Sequence, residues 1–396
     1  MSGRWIAALA VAMALLVCAG IWLGGHPAKL PGFLRDRLVD DSTALTAEAA
    51  EAIEDNYYRS VGGRELSDSS LQGMVRELRR RHHDRFSEYF SPQAQARFEE
   101  SISGRFTGIG LSVTEVKPGL KVEKVFAGSP AEKAGIEAGE LIVSVDGESI
   151  AGESSEASTE KIKGPEGTEV TVGVRSPAGK VRTLTIVRQQ IALPVVTGSL
   201  KEVHGRKLGY VYMASFSQGV HALLAKEVRK LEREGAEGIV LDLRANGGGL
   251  LDEAVLSASV LLPAGEVVVS TESRTQGRRV YETVGENLPA VPIVVLIDRN
   301  TASAAEILTA ALADDAGATV VGTRSFGKGV FQQEEPLANG GALKLTVGEY
   351  FTPKGVNLAE THGVHPDVRA RDDLGTPRDE ARERALKVLA AEVQRR

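Results

Sequence analysis

The spacing of apolar residues changes character several times along the 396-residue chain, and each change marks a different kind of element. Residues 5–23, WIAALAVAMALLVCAGIWL, carry no charge and show no polar face. A helix of that length spans roughly 28 Å, close to the hydrocarbon thickness of a bilayer, so the pattern predicts a membrane anchor or signal segment. Arg4 precedes it while Lys29, Arg35 and Arg37 follow, so the positive-inside count does not by itself predict export. Residues 42–103 are helical and polar: in SLQGMVRELRRRHHD, Leu71, Met74, Val75 and Leu78 recur at helical spacing.

From residue 104 the period shortens. GIGLSVTEV, LKVEKVF, LIVSVDG, TEVTVGVRS and VRTLTIVRQ are short, β-branched and bounded by glycine or proline, which predicts a small antiparallel β domain over residues 104–190, with one short helix in GSPAEKAGIEAGE. Over residues 191–375, strand-like runs such as GIVLDLRAN, PIVVLIDRN and ATVVGTRSF alternate with helical stretches. Val220, Leu223, Leu224, Val228 and Leu231 share one face of such a helix. The alternation implies an α/β fold with a largely parallel sheet covered on both faces, and puts chemistry in the loops that leave the strands. Residues 376–396 form a charged helix with an apolar stripe, expected to pack or to dimerise.

Composition narrows the function. Apolar content of 42% and charged content of 25% belong to a folded protein, and a net charge of −6 without a basic stripe beyond Arg79, Arg80 and Arg81 argues against nucleic acid. The single cysteine, Cys18, excludes an internal disulfide.

Three loops could carry chemistry. GTRSFGKG, residues 322–329, resembles a phosphate-binding loop, but Gly329 stands where that pattern needs Ser or Thr. Lys328 could instead be a general base. Such a lysine needs apolar surroundings to bring its pKa toward neutrality, and Phe326 and Phe331 could supply them, with Gln332 holding the amine without adding charge. In NTASAAEIL, Ser303 falls at a helix start, where free N–H groups and the helix dipole favour developing negative charge. The run NGGG, residues 246–249, supplies amides for an oxyanion or a phosphate. None of the seven histidines lies in a comparable loop, so a Ser-His-Asp triad is not expected.

Together, TASAAEI, SFGKGVFQ and LDLRANGGG resemble, over residues 57–367, the carboxy-terminal processing peptidases, or tail-specific proteases. The resemblance implies a crotonase/ClpP-like α/β protease core with an inserted β-rich PDZ domain and a helical N-terminal arm. It implies Ser303 as nucleophile, Lys328 as base, Gln332 as the residue that orients it, and Glu306 in support. The oxyanion hole would be the backbone amides of Gly248 or Gly249 and of Ala304. Ala305 and Gly247 depart from the family pattern, where a second serine and a proline are common, without touching the dyad.

TGIGLSV and GSPAEKAGIEAGELIVSVDG are similar to a PDZ domain, with the amides of Ile109, Gly110 and Leu111 expected to capture a free C-terminus. The resulting expectation is a serine endopeptidase of the bacterial cell envelope, anchored through residues 5–23. Its partners would be proteins with free C-terminal tails, possible activator or adaptor proteins and further copies of the chain. No metal, cofactor or nucleic acid is needed. A catalytically silent PDZ scaffold and a P-loop-like NTPase are the alternatives.

Overall fold

A computed structural model describes residues 13, 41–285, 287–288, 291–373 and 375–395. The expected anchor, residues 5–23, lies outside the described residues apart from Met13, and no helix among the described residues is long and apolar enough to cross a membrane.

The chain divides into two compact units. The first takes in the described residues up to Ser91 together with Glu334–Leu345. It holds the helices Asp41–Asn56 and Gly63–His82 and the short strand Glu88–Phe90, which pairs antiparallel with residues 342–344. Tyr89 donates its hydroxyl to Asp68 at 2.5 Å and accepts from Asn339 Nδ2 at 2.8 Å, fixing strand to helix and loop.

The second unit contains the β-rich domain and the α/β core. The core sheet has six strands in the order Val196–Val203, Arg206–Met213, Ile239–Asp242, Ile293–Ile297, Thr319–Gly322 and Val368–Arg369. Its first pair is antiparallel and the rest are parallel. Because side chains alternate along a strand, each buried strand feeds two cores. Ile239, Leu241, Ile293, Val295 and Ile297 pack with the helices Val220–Arg233, Leu251–Leu261 and Ala304–Asp315. On the opposite face Val240, Val294, Leu296 and Val321 meet Ala385, Leu386 and Leu389 of the helix Glu380–Arg395. The apolar stripe of this last helix is therefore used within the chain, as the cover of one sheet face.

The β-rich domain is a sheet in the order Leu111–Val116, Gly119–Val125, Leu141–Val145, Glu169–Arg175 and Val181–Val187, all antiparallel. Leu120, Val122, Ile142, Val172 and Val174 are fully buried beneath the helix Ser155–Ile162. The strand Arg105–Gly108 pairs with Gln189–Ala192, closing the insert where the chain enters and leaves it. Helix Pro92–Ser103, which the hydrophobic pattern assigns to the N-terminal helical stretch, clusters with this second unit.

Candidate active site

The Ser303 loop follows the buried strand Ile293–Ile297 and enters the helix Ala304–Asp315. Asp298 tightens the turn: its Oδ1 accepts from the amides of Ala245 at 3.0 Å, Asn300 at 2.9 Å and Thr301 at 3.0 Å. Thr301 donates its hydroxyl to the Leu243 carbonyl at 2.8 Å, and the Ala302 amide donates to the Asn246 carbonyl at 3.0 Å. The serine loop and the glycine loop are thus stitched together by their backbones. Ser303 itself has φ 57° and ψ −121°, a conformation that a residue with a side chain adopts only when its surroundings enforce it.

Glu306 supplies that enforcement. Its carboxylate is fully buried, and four donors converge on it. Oε2 accepts from the Ser303 amide at 2.9 Å and the Lys328 amide at 3.0 Å; Oε1 accepts from the Ser325 hydroxyl at 2.5 Å and the Gly327 amide at 2.7 Å. A buried carboxylate is tolerated only when its lone pairs are satisfied, and here the donors come from both the serine and the lysine loops. Glu306 is therefore the clamp that fixes one loop to the other.

Lys328 donates from Nζ to Gln332 Oε1 at 2.6 Å, while Gln332 Nε2 donates to Thr346 Oγ1 at 3.3 Å, so the expected orienting residue is in contact with the amine. A side chain at Gly329 would collide with Asn357, which donates from Nδ2 to the Gly329 carbonyl at 3.1 Å. This explains the glycine where a phosphate loop needs a hydroxyl. Residue 330 then begins the strand Val330–Pro336, so the helix N-terminus that a phosphate loop requires is missing, and the NTPase alternative has no structural footing. Of the two phenylalanines expected beside the lysine, Phe326 is 43% exposed, whereas Phe331 packs against the main core.

Tyr350 carries no signal in the sequence, yet it completes the site. The strand pairing Thr271 with Tyr350 buries its ring, and its hydroxyl donates to the Lys328 carbonyl. Burial pushes its pKa well above the usual tyrosine value, the Glu306 charge adds to this, and a hydrogen bond with the Ser303 side chain partly offsets both. Tyr350 therefore remains a neutral phenol between the two loops.

In the glycine loop, Gly248 has φ 97°, and a Cβ there would stand 2.8 Å from Ser303 Cβ and 3.0 Å from the Ala304 nitrogen. Only glycine leaves that space open. Asn246, fully buried, donates from Nδ2 to the Met213 carbonyl at 2.8 Å and accepts the Gly248 amide at 2.9 Å. The Gly248 amide is thereby occupied, which corrects its assignment as a free oxyanion donor. Among the described residues the amides of Gly249 and Ala304 have no protein acceptor. No histidine among the described residues hydrogen-bonds Ser303; His221 is paired with Glu253 at 2.8 Å.

In the β-rich domain, Ile109 is buried and its carbonyl accepts from the Ala131 amide at 2.8 Å; the Gly110 carbonyl accepts from Phe126 at 3.0 Å. Gly110, φ 89°, presses on Ser129, the N-cap of the short helix Pro130–Lys133, so any Cβ would clash. Ile109, Gly110 and Leu111 line a groove of about 390 Å³ between the strand Leu111–Val116 and the helix Ser155–Ile162.

An α/β core with a Ser303–Glu306–Lys328 cluster and an inserted peptide-groove domain defines a serine-type peptidase of the PDZ-bearing kind. Family models agree: Peptidase family S41 matches residues 207–370 and the PDZ domain matches residues 121–176. The carboxy-terminal processing protease CtpB of Bacillus subtilis (strain 168) is 32% identical over 335 residues, 84% of this chain and 68% of its own length. CtpA of the same organism is 32% identical over 324 residues, 82% of this chain and 68% of its own. A structure from Bacteroides fragilis NCTC 9343 assigned to the S41 proteases shares the fold, with a TM-score of 0.51 at 19% identity, covering 85% of this chain and 92% of that one. The chain belongs to the carboxy-terminal processing proteases of peptidase family S41.

Proposed function

We propose that the protein hydrolyses peptide bonds through an acyl-enzyme formed on Ser303, with Lys328 as general base, on substrates captured by their C-terminal tails in the PDZ groove. Neutral Lys328 takes the Ser303 hydroxyl proton as Oγ bonds to the scissile carbonyl carbon, and the carbonyl electron pair moves onto oxygen. The amides of Gly249 and Ala304 receive that oxyanion. Collapse expels the amine, which leaves with the proton held by Lys328, and water attacks the ester with the same base. Gln332 orients the amine and Tyr350 holds the Lys328 backbone.

The observation that carries this reading is the convergence of the Ser303 and Lys328 amides on one oxygen of Glu306. The apolar run at residues 5–23 supports a peptidase held at a membrane, and a place at the bacterial cell envelope, on the extracytoplasmic side, belongs to the same reading. Activator or adaptor proteins and homo-oligomers belong to the same reading. The test is degradation of casein, with Ser303→Ala and Lys328→Ala in parallel and serine-directed labelling of each. Both variants should lose turnover by about 10³-fold or more, and labelling should vanish in Ser303→Ala. Parental rates in Lys328→Ala would remove the base; a parent that cleaves nothing and takes no label would leave the silent scaffold.

A further inference from the structure

The PDZ groove has a third wall that the domain itself does not supply. Helix Pro92–Ser103, which precedes the domain, contributes Arg97, Glu100 and Ser101 to the groove lining. Glu100 accepts from Lys163 Nζ at 2.5 Å, across 63 residues of sequence. Lys163 is the C-cap of the groove helix Ser155–Ile162. Its ammonium stands 5.8 Å from the centre of the Phe106 ring, and its Cγ would lie 3.9 Å from a Cβ built on Gly108. The cation therefore sits beside the loop of residues 108–111, at the end of the groove where a tail's carboxylate would arrive.

The two side chains are 28% and 27% exposed. Water reaches the pair, so neither ion is locked in by desolvation, and replacing one carboxylate with another preserves both the charge balance and the hydrogen bond. Ile109, Leu111, Val113, Phe126 and Ile162 make most of the remaining lining apolar, and Arg97, on the same helix as Glu100, is its other cation, so Lys163 and Arg97 are the two positive charges that could answer a tail's carboxylate.

We propose that Glu100 is an internal stand-in for the ligand's terminal carboxylate: Lys163 is the cation that receives the tail, and entry requires Glu100 to give it up. The inference rests on the tail-binding reading above and adds the residue that sets carboxylate selectivity and the one that competes for it. In this scheme the ion pair weakens every free-acid ligand by a constant factor and leaves an amidated ligand untouched.

The experiment is fluorescence anisotropy on the full chain carrying Ser303→Ala, with a labelled decapeptide ending in two valines, as free acid and as C-terminal amide. Glu100→Gln should tighten the free acid by about two- to fivefold, the range for exchange of a part-exposed ion pair, and leave the amide unchanged. Lys163→Gln should bring the acid-to-amide preference toward one, while Lys163→Arg should retain it; the arginine variant separates loss of charge from loss of fold. Unchanged or weaker free-acid binding in Glu100→Gln, or a full preference in Lys163→Gln, overturns the proposal while the parental preference for the acid keeps tail binding intact. A parent that binds acid and amide equally removes tail binding itself, and the proposal with it.

Discussion

Replacing Glu306 by glutamine tests whether the carboxylate clamp holds the site together. The substitution keeps shape and volume, so no cavity term enters, and only the charge and two acceptor positions change. With the amide oxygen toward Ser325 and Gly327, the NH2 group faces the Ser303 and Lys328 amides, formerly 2.9 and 3.0 Å from a carboxylate oxygen, and two donors lose their acceptor. With the amide flipped, the oxygen serves Ser303 and Lys328, the Ser325 hydroxyl turns to accept, and only the Gly327 amide, formerly at 2.7 Å, is orphaned. The flipped arrangement is the cheaper one, because hydrogen bonds to a charged group are worth about 1.5–3 kcal/mol each and it forfeits one of them. Thermal unfolding should therefore fall by roughly 3–12 °C, taking about 2–4 °C per kcal/mol for a domain of this size. Turnover should fall further than unfolding alone explains, since Ser303 keeps its φ of 57° only while both loops are clamped. The assay is scanning fluorimetry beside kcat and KM on casein, and the expected result is a fall in kcat with KM nearly unchanged. A glutamine variant with parental melting temperature and parental kcat would refute the clamp.

Three further outcomes follow from named contacts. Gly248→Ala places a Cβ 2.8 Å from both the Ala302 carbonyl oxygen and Ser303 Cβ, so kcat should drop by about 10²-fold or more, while tail-peptide affinity measured by anisotropy stays at the parental value. Tyr350→Phe removes the hydroxyl that the fully buried Tyr350 donates to the Lys328 carbonyl, at a cost of about 0.5–1.5 kcal/mol read by denaturant unfolding. Because the Tyr350 pKa is raised, its ionisation lies above the working range, and the alkaline limb of the pH–rate profile should survive this substitution. Arg182→Gln breaks the bonds to Glu140 at 2.5 and 2.8 Å, which hold that carboxylate below its ordinary range. A depressed carboxylate pKa contributes stability above its unfolded value and loses it as pH falls through the folded one. The melting-temperature gap between parent and variant should thus be widest near neutrality and close on acidification; a gap that grows in acid would contradict the assignment.

The parts of the molecule visible in the sequence are those that depend on side-chain type. Strands such as Ile239–Asp242 and Ile293–Ile297 are continuous apolar runs because both faces are covered, and the helix Val220–Arg233 shows its buried stripe at helical spacing. Ser303 and Lys328 stand out for a related reason: they lie in loops that leave parallel strands, where this architecture exposes chemistry. Gln332 is legible because a residue four positions along an extended loop and strand can return to the amine, and it does.

What binds these pieces together is almost silent in the sequence, because it runs from side chains to backbone. Three of the four donors on Glu306 are amide N–H groups, which every residue except proline carries, so nothing in the letters at 303, 327 and 328 announces the clamp. Asn246 taking the Gly248 amide is invisible for the same reason, and it changes which glycine amide remains free. Tyr350 is separated from Ser303 by a whole helix and several strands, and only the antiparallel register with Thr271 brings its hydroxyl to the Lys328 carbonyl. The consequence is directional. A site whose reacting groups are set by residue type but whose alignment is set by backbone contacts should fail at Gly248, Gly327 and Gly329 even though none of the three carries a side chain. At each of these glycines an added Cβ would meet a neighbour within 2.8 Å.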